Sequence, residues 1–154
     1  MKNKKISIFS LLAIFTLSLS FVYGEATLSL QKLRGVAWEV LQIENQTFPT
    51  KENDAMVHVY WWFSEDNNIY TGICTKYKSE SLMIRASEAI PYKFNKGILS
   101  MEEDQLKVVE IKNGVVKMVG KDPSMILILK EQNEFAIKDI KDAEVVDVSV
   151  SDDK

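Results

Sequence analysis

The chain has one cysteine, one histidine and three prolines in 154 residues. Cys74 alone cannot form an internal disulfide, so the fold must rest on an apolar core rather than on cross-links. His58 and Cys74 together fall short of the three or four ligands of a zinc site. The sequence also lacks a glycine-rich phosphate loop, a serine elbow and a paired-histidine helix. No internal repeat or low-complexity segment stands out. These absences remove disulfide-stapled scaffolds and the common catalytic signatures. The expectation is a non-enzymatic protein with no cofactor and no metal.

Basic charge is scarce once the first stretch is set aside. Lys2, Lys4 and Lys5 open the chain, and Ile6 to Val22 is an apolar run broken only by Ser and Thr. Val22-Tyr23-Gly24 supplies tolerated residues before a cleavage point, with Glu25 opening the mature chain. This is the plan of a secretory signal. The alternative is an uncleaved membrane anchor, since the run is nearly long enough to span. Residues 1–24 are therefore expected to be a signal peptide, and the product periplasmic or extracellular. No Cys lies near the cleavage point, which argues against a lipoprotein anchor. The remainder carries 16 Lys and Arg against 22 Asp and Glu, a net charge of −6. Such a surface argues against nucleic acid or anionic membrane as a partner. The 130 residues left are one domain by size and enough for a core.

What the chain does hold is β-pattern. Met56 to Phe63 alternates Val57, Val59, Trp61 and Phe63 against Met56, His58, Tyr60 and Trp62, a pleated and half-buried surface. Glu65 to Asn68 supplies turn residues, and Ile69 to Tyr77 returns. A two- or four-residue loop centred on Asp66 and Asn67 pairs Trp61 with Gly72 and Val59 with Cys74. Tyr70, Gly72 and Cys74 then share the apolar face, Gly72 making room for the Trp61 ring. His58, Tyr60, Trp62, Thr71, Ile73 and Thr75 form the other face. In that register His58 and Cys74 fall on opposite faces, which argues against a Cys–His dyad. A three- or five-residue loop would flip the assignment.

Further strands are expected. Leu33 to Ile43 reads as the first, and Glu44 to Asp54 as a loop. Leu82 to Ala89 is strand or short helix, with strand favoured by its neighbours. Tyr92 to Phe94 and Ile98 to Met101 flank Asn95-Lys96-Gly97. Leu106 to Ile111 has Leu106, Val108 and Glu110 on one face and Lys107, Val109 and Ile111 on the other. Asn113-Gly114 is the strongest hairpin signal. Val115 to Val119 and Met125 to Leu129 complete a meander of eight or nine strands. Glu102-Glu103-Asp104 reads as a solvated turn rather than a calcium loop. Phe135, Ile137 and Ile140 could dock a short helix, and Val146, Val148 and Val150 alternate like a strand. The domain is placed at 25–140, with 141–154 as a tail or closing segment.

Gly35-Val36-Ala37-Trp38, with Leu33 before it, resembles the glycine–tryptophan opening strand of lipocalins and the wider calycin group. Tyr92 to Leu99 resembles a mid-barrel hairpin of small bacterial lipocalin-like proteins, and the meander through Leu129 is similar in length and spacing. The resemblance covers residues 33–130. It implies an antiparallel up-and-down β-barrel with an apolar interior and a mouth for a small hydrophobic ligand.

Two functional expectations follow. In the first, Trp61, Phe63, Tyr70, Gly72, Tyr92 and Phe94 line a cavity that takes a small hydrophobic ligand. The bland reading is that these aromatics fill the core. In the second, His58, Tyr60 and Trp62 form an exposed aromatic patch for a protein partner or an inhibited target. A C-terminal helix lying over that patch would remove the second expectation.

Overall fold

The computed structural model describes residues 27–148. The signal-peptide reading and Val150 lie outside them. The chain is mainly β and mostly antiparallel. It begins with a short helix α1 (Leu30–Gly35), then β1 (Trp38–Ile43), β2 (Gln46–Thr47), β3 (Thr50–Glu52), β4 (Ala55–Phe63), β5 (Asn68–Tyr77) and β6 (Glu80–Ala86). β7 (Ile90–Asn95), β8 (Ile98–Met101), β9 (Asp104–Lys112), β10 (Val115–Gly120) and β11 (Ile126–Glu131) follow. Helix α2 (Ile137–Asp142) and β12 (Glu144–Val146) end the described chain.

The pairings close on themselves in the order β1-β4-β5-β7-β8-β9-β10-β11 and back to β1. This ring is compatible with a β-barrel. β5 makes the closure possible by dividing its edge: Asn68 and Ile69 pair with β7, whereas Gly72 to Tyr77 pair with β6. β6 therefore leaves the ring and carries β12, which runs parallel to it. Tight turns drive the meander. Lys96-Gly97 and Asn113-Gly114 join paired strands with positive φ at both residues, the backbone that matches strand twist.

The inside of the ring is a continuous apolar core. Trp38 and Val40 come from β1, Trp61 and Phe63 from β4, and Ile69 from β5. Tyr92, Leu99, Leu106, Val116, Met118, Leu127 and Leu129 complete the circuit, with Leu33 of α1 entering from the Trp38 end. Val59, Trp61 and Phe63 of the alternating set thus turn inward as expected, and Phe63 is 0% exposed.

The register of the β4–β5 hairpin differs from the expected one. Phe63 pairs with Ile69, Trp61 with Thr71, Val59 with Ile73 and His58 with Cys74. Ser64 N donates to Asn68 O, leaving a three-residue loop in which Asn67 has φ 63°. The odd loop length flips β5. Tyr70, Gly72 and Cys74 accordingly lie outside the ring with His58, Tyr60 and Trp62. Gly72 does not accommodate Trp61. A Cβ there would stand 3.1 Å from Met83 Sδ and 3.3 Å from Ile140 Cγ1, so Gly72 admits β6 and α2 instead.

Other departures have local causes. Leu30 to Gly35 is helical because Ser29 caps it, its hydroxyl accepting from Lys32 N at 3.0 Å. The first strand therefore starts at Trp38 rather than Leu33. The polar stretch from Glu44 to Asp54 contains β2 and β3, which pair with β1 and β4. In β9 an extra residue at Val109 separates Val108, paired with Met118, from Glu110, paired with Lys117. This bulge returns Ile111 to the core side beside Leu106 and Val108. Leu82 to Ala86 is strand, and Ile140 docks on a short helix, as read from sequence.

Candidate functional site

A cavity lies where the ring meets the N-terminal segment. Its volume is about 920 Å³. Three pieces of chain bound it: Thr27 to Leu30 leading into α1, Phe94 to Gly97 at the β7–β8 turn, and Lys107 to Ile111 of β9. Leu28, Leu30, Phe94, Val108 and Ile111 give it an apolar lining, and all five also pack on the central core. The β9 bulge is what brings Ile111 to this wall. Asn95, Lys96, Lys107, Glu110 and Ser29 form a polar rim. The site is thus apolar below and mixed in charge above.

Of the residues expected to bind ligand, only Phe94 lines this cavity. Trp61, Phe63 and Tyr92 lie deeper and are spent on packing, Phe63 standing edge-on to both Trp61 and Tyr92. Tyr70 and Gly72 are on the outer face. Leu28, Leu30, Val108 and Ile111 were not singled out from sequence. Leu28 and Leu30 sit in a lead-in without strand pattern, and the bulge that turns Ile111 inward has no sequence mark.

α1 is fastened over this end by side chains. Arg34 Nε donates to Tyr92 Oη at 2.8 Å, and its NH2 donates to Asn67 Oδ1 at 2.8 Å. Tyr92 Oη donates in turn to Ser64 O at 3.0 Å. Lys32 reaches Glu131 at 2.8 Å, and Trp38 Nε1 donates to Leu33 O at 2.9 Å. Beside the latch, Asp66 accepts from the Ser64 hydroxyl, from Tyr70 Oη and from Asn68 N. The Ser64 and Tyr70 hydroxyls stabilise the carboxylate and hold its pKa down at about 2.

The outer face gathers a second group. Tyr60, Cys74, Ala37 and Ile140 form a small buried cluster with Trp62, Met83, Phe135 and Ile137 around it. Phe135 stands edge-on to Tyr60 with ring centroids 4.5 Å apart, and Lys141 lies over the Trp62 ring. The segment through α2 therefore covers the patch expected to be exposed, and Tyr60 is 1% exposed.

His58 and Cys74 are direct cross-strand partners, contrary to the sequence expectation. His58 Nδ1 lies 2.8 Å from Glu39 Oε1. A carboxylate only accepts, so Nδ1 is the donor of this pair. The pair lacks the marks of an activated thiol. Burial pushes the Cys74 thiol up, partly countered by the Lys76 cation, and a buried neutral thiol is unreactive. Burial, then Glu39, likewise raises the Tyr60 phenol. Lys76 bonds Glu134 at 2.6 Å, an ion pair that clips the segment before α2 to β5.

Among the described residues no group of three or more His, Cys, Asp or Glu could hold a metal ion, and no helix is long and apolar enough to cross a membrane. No protein-family model, curated protein or solved structure matches the chain.

Proposed function

We propose that the chain is an exported, lipocalin-like β-barrel that binds a small hydrophobic ligand without acting on it. The observation that carries the reading is the cavity of about 920 Å³ against the lead-in to α1, within the ~300–1,000 Å³ range of small-molecule sites. Its apolar lining is an outward extension of the core, so an apolar ligand there would bury surface continuous with the core. The polar rim suits a ligand with one polar end. Export rests on the basic start and apolar run of residues 1–24. The barrel reading rests on the ring of strands, the opening Trp38 and the helix that precedes it.

The test is a fluorescence titration with an apolar dye, followed by displacement with candidate ligands. Val108→Trp should fill the floor and abolish dye binding while the far-UV spectrum stays unchanged. Equal dye binding by both proteins, or none by the unaltered one, would overturn the proposal.

A further inference from the structure

The attachment of α1 differs in kind from that of every strand. Each strand of the ring is held by backbone ladders on both sides. Residues 27–36 make no backbone hydrogen bond to any described strand; apart from the bonds internal to the helix, the one they make runs from Leu33 N to Ser29 O. Six residues are too few for a helix to persist alone. The helix is therefore kept in place by side chains: Leu33 below, Lys32 on Glu131, and Arg34 on Tyr92 and Asn67. Segments held in this way open at lower cost than laddered ones. The same segment walls the cavity through Thr27 to Leu30. Gly35 follows the latch residue directly, is exposed, and has nothing within 4 Å of where a Cβ would stand.

From this geometry we infer that α1 with its lead-in is a hinged lid over the end cavity, with Arg34 as its latch and Gly35 as its hinge. The inference rests on the binding reading for its purpose but not for its mechanics. Opening requires four long-range polar contacts to part and Leu28, Leu30 and Leu33 to lift from the core, while the ring of strands stays paired. A ligand entering by this route meets Leu28, Leu30 and Val108 first. Arg34 then acts as a positioning residue: it sets how often the cavity is open.

Hydrogen exchange on the full chain reads the lid without any ligand. The amides of Leu33 and Arg34 should exchange at least ~10-fold faster than that of Val40 in β1, by an opening insensitive to low urea. Arg34→Ala removes two charge-assisted bonds, so it should speed α1 exchange about 10-fold or more and leave the slowest β1 amides unchanged. Gly35→Ala meets no neighbour and should fold normally. Stiffening the hinge should slow α1 exchange about twofold to fivefold. Stopped-flow mixing with the apolar dye should show the same ordering in both entry and exit rates. α1 amides that exchange only with global unfolding would overturn the lid, whether or not dye binds. Local opening with no dye bound by any variant would support the hinge and count against the binding reading alone.

Discussion

At the scale of single residues, two positions carry more than their size suggests. Asp66 holds the β4–β5 turn by accepting from Ser64, Tyr70 and Asn68. Those bonds favour its charged form and lower its pKa from 3.8 to about 2. A depressed carboxyl pKa contributes stability that is fully present above the unfolded value and is lost as pH falls through the folded one. Urea midpoints should therefore drop between pH 4 and pH 2, and Asp66→Asn should remove that part of the drop; an unchanged profile in the variant would place the acid sensitivity elsewhere. Gly72 is the second position. Its missing side chain admits Met83 and Ile140, which a Cβ would meet at 3.1 and 3.3 Å. Gly72→Val adds three carbons to that contact and should destabilise by about 1–3 kcal/mol through overpacking. Thermal unfolding would measure it, and an unchanged midpoint would mean that α2 yields freely.

At the scale of elements, α2 decides what the outer face of the hairpin is for. Ile140 is 0% exposed and packs in the cluster with Tyr60 and Cys74. Ile140→Ala should cost about 2–5 kcal/mol by the loss of burial and the cavity left behind. It should also raise the solvent exposure of Trp62, which Lys141 overlies from the same helix. Quenching of tryptophan emission by iodide would check the second point. The helix itself was legible from Phe135, Ile137 and Ile140. The β4 side of its target was weighed from sequence as a patch either covered or exposed, but its β5 side, Gly72 and Cys74, was not legible, because it depended on a loop length. Glu65 to Asn68 offers acceptable turn residues at every length from two to four. Only the left-handed Asn67, φ 63°, selects the three-residue loop. Where glycine narrows the choice, as at Lys96-Gly97 and Asn113-Gly114, turn position was readable. β2 and β3 escaped notice because they pair through the backbone with almost no apolar side chains to mark them. The cavity escaped for a related reason: its floor is assembled by a bulge and a lead-in, neither of which has a hydrophobic period.

At the scale of the whole molecule, one sheet serves two cores of unequal size. The ring encloses the larger, with Trp38, Phe63, Leu106, Leu127 and Leu129 among its buried members. The smaller lies on the outside of β4 and β5, roofed by α2 and clipped by Lys76 to Glu134. The inner one is bounded by ladders that must break together. The outer roof has a six-residue helix, one ion pair and the short pairing of β12 with β6. Local opening free energies follow the count of such restraints, so the roof should lift well below the free energy of global unfolding. Cys74 reports on this directly, being the only thiol of the chain and buried under the roof. Its labelling by a small thiol reagent at low urea should proceed with a urea dependence far shallower than that of global unfolding, because little surface is exposed when α2 detaches. Ile140→Ala should accelerate labelling in that regime, whereas Phe63→Ala, which weakens the inner core, should act mainly at urea concentrations where the ring itself unfolds. If labelling instead followed the global transition in slope as well as midpoint, the two cores would be one cooperative unit, and the roof would be as firmly held as the ring.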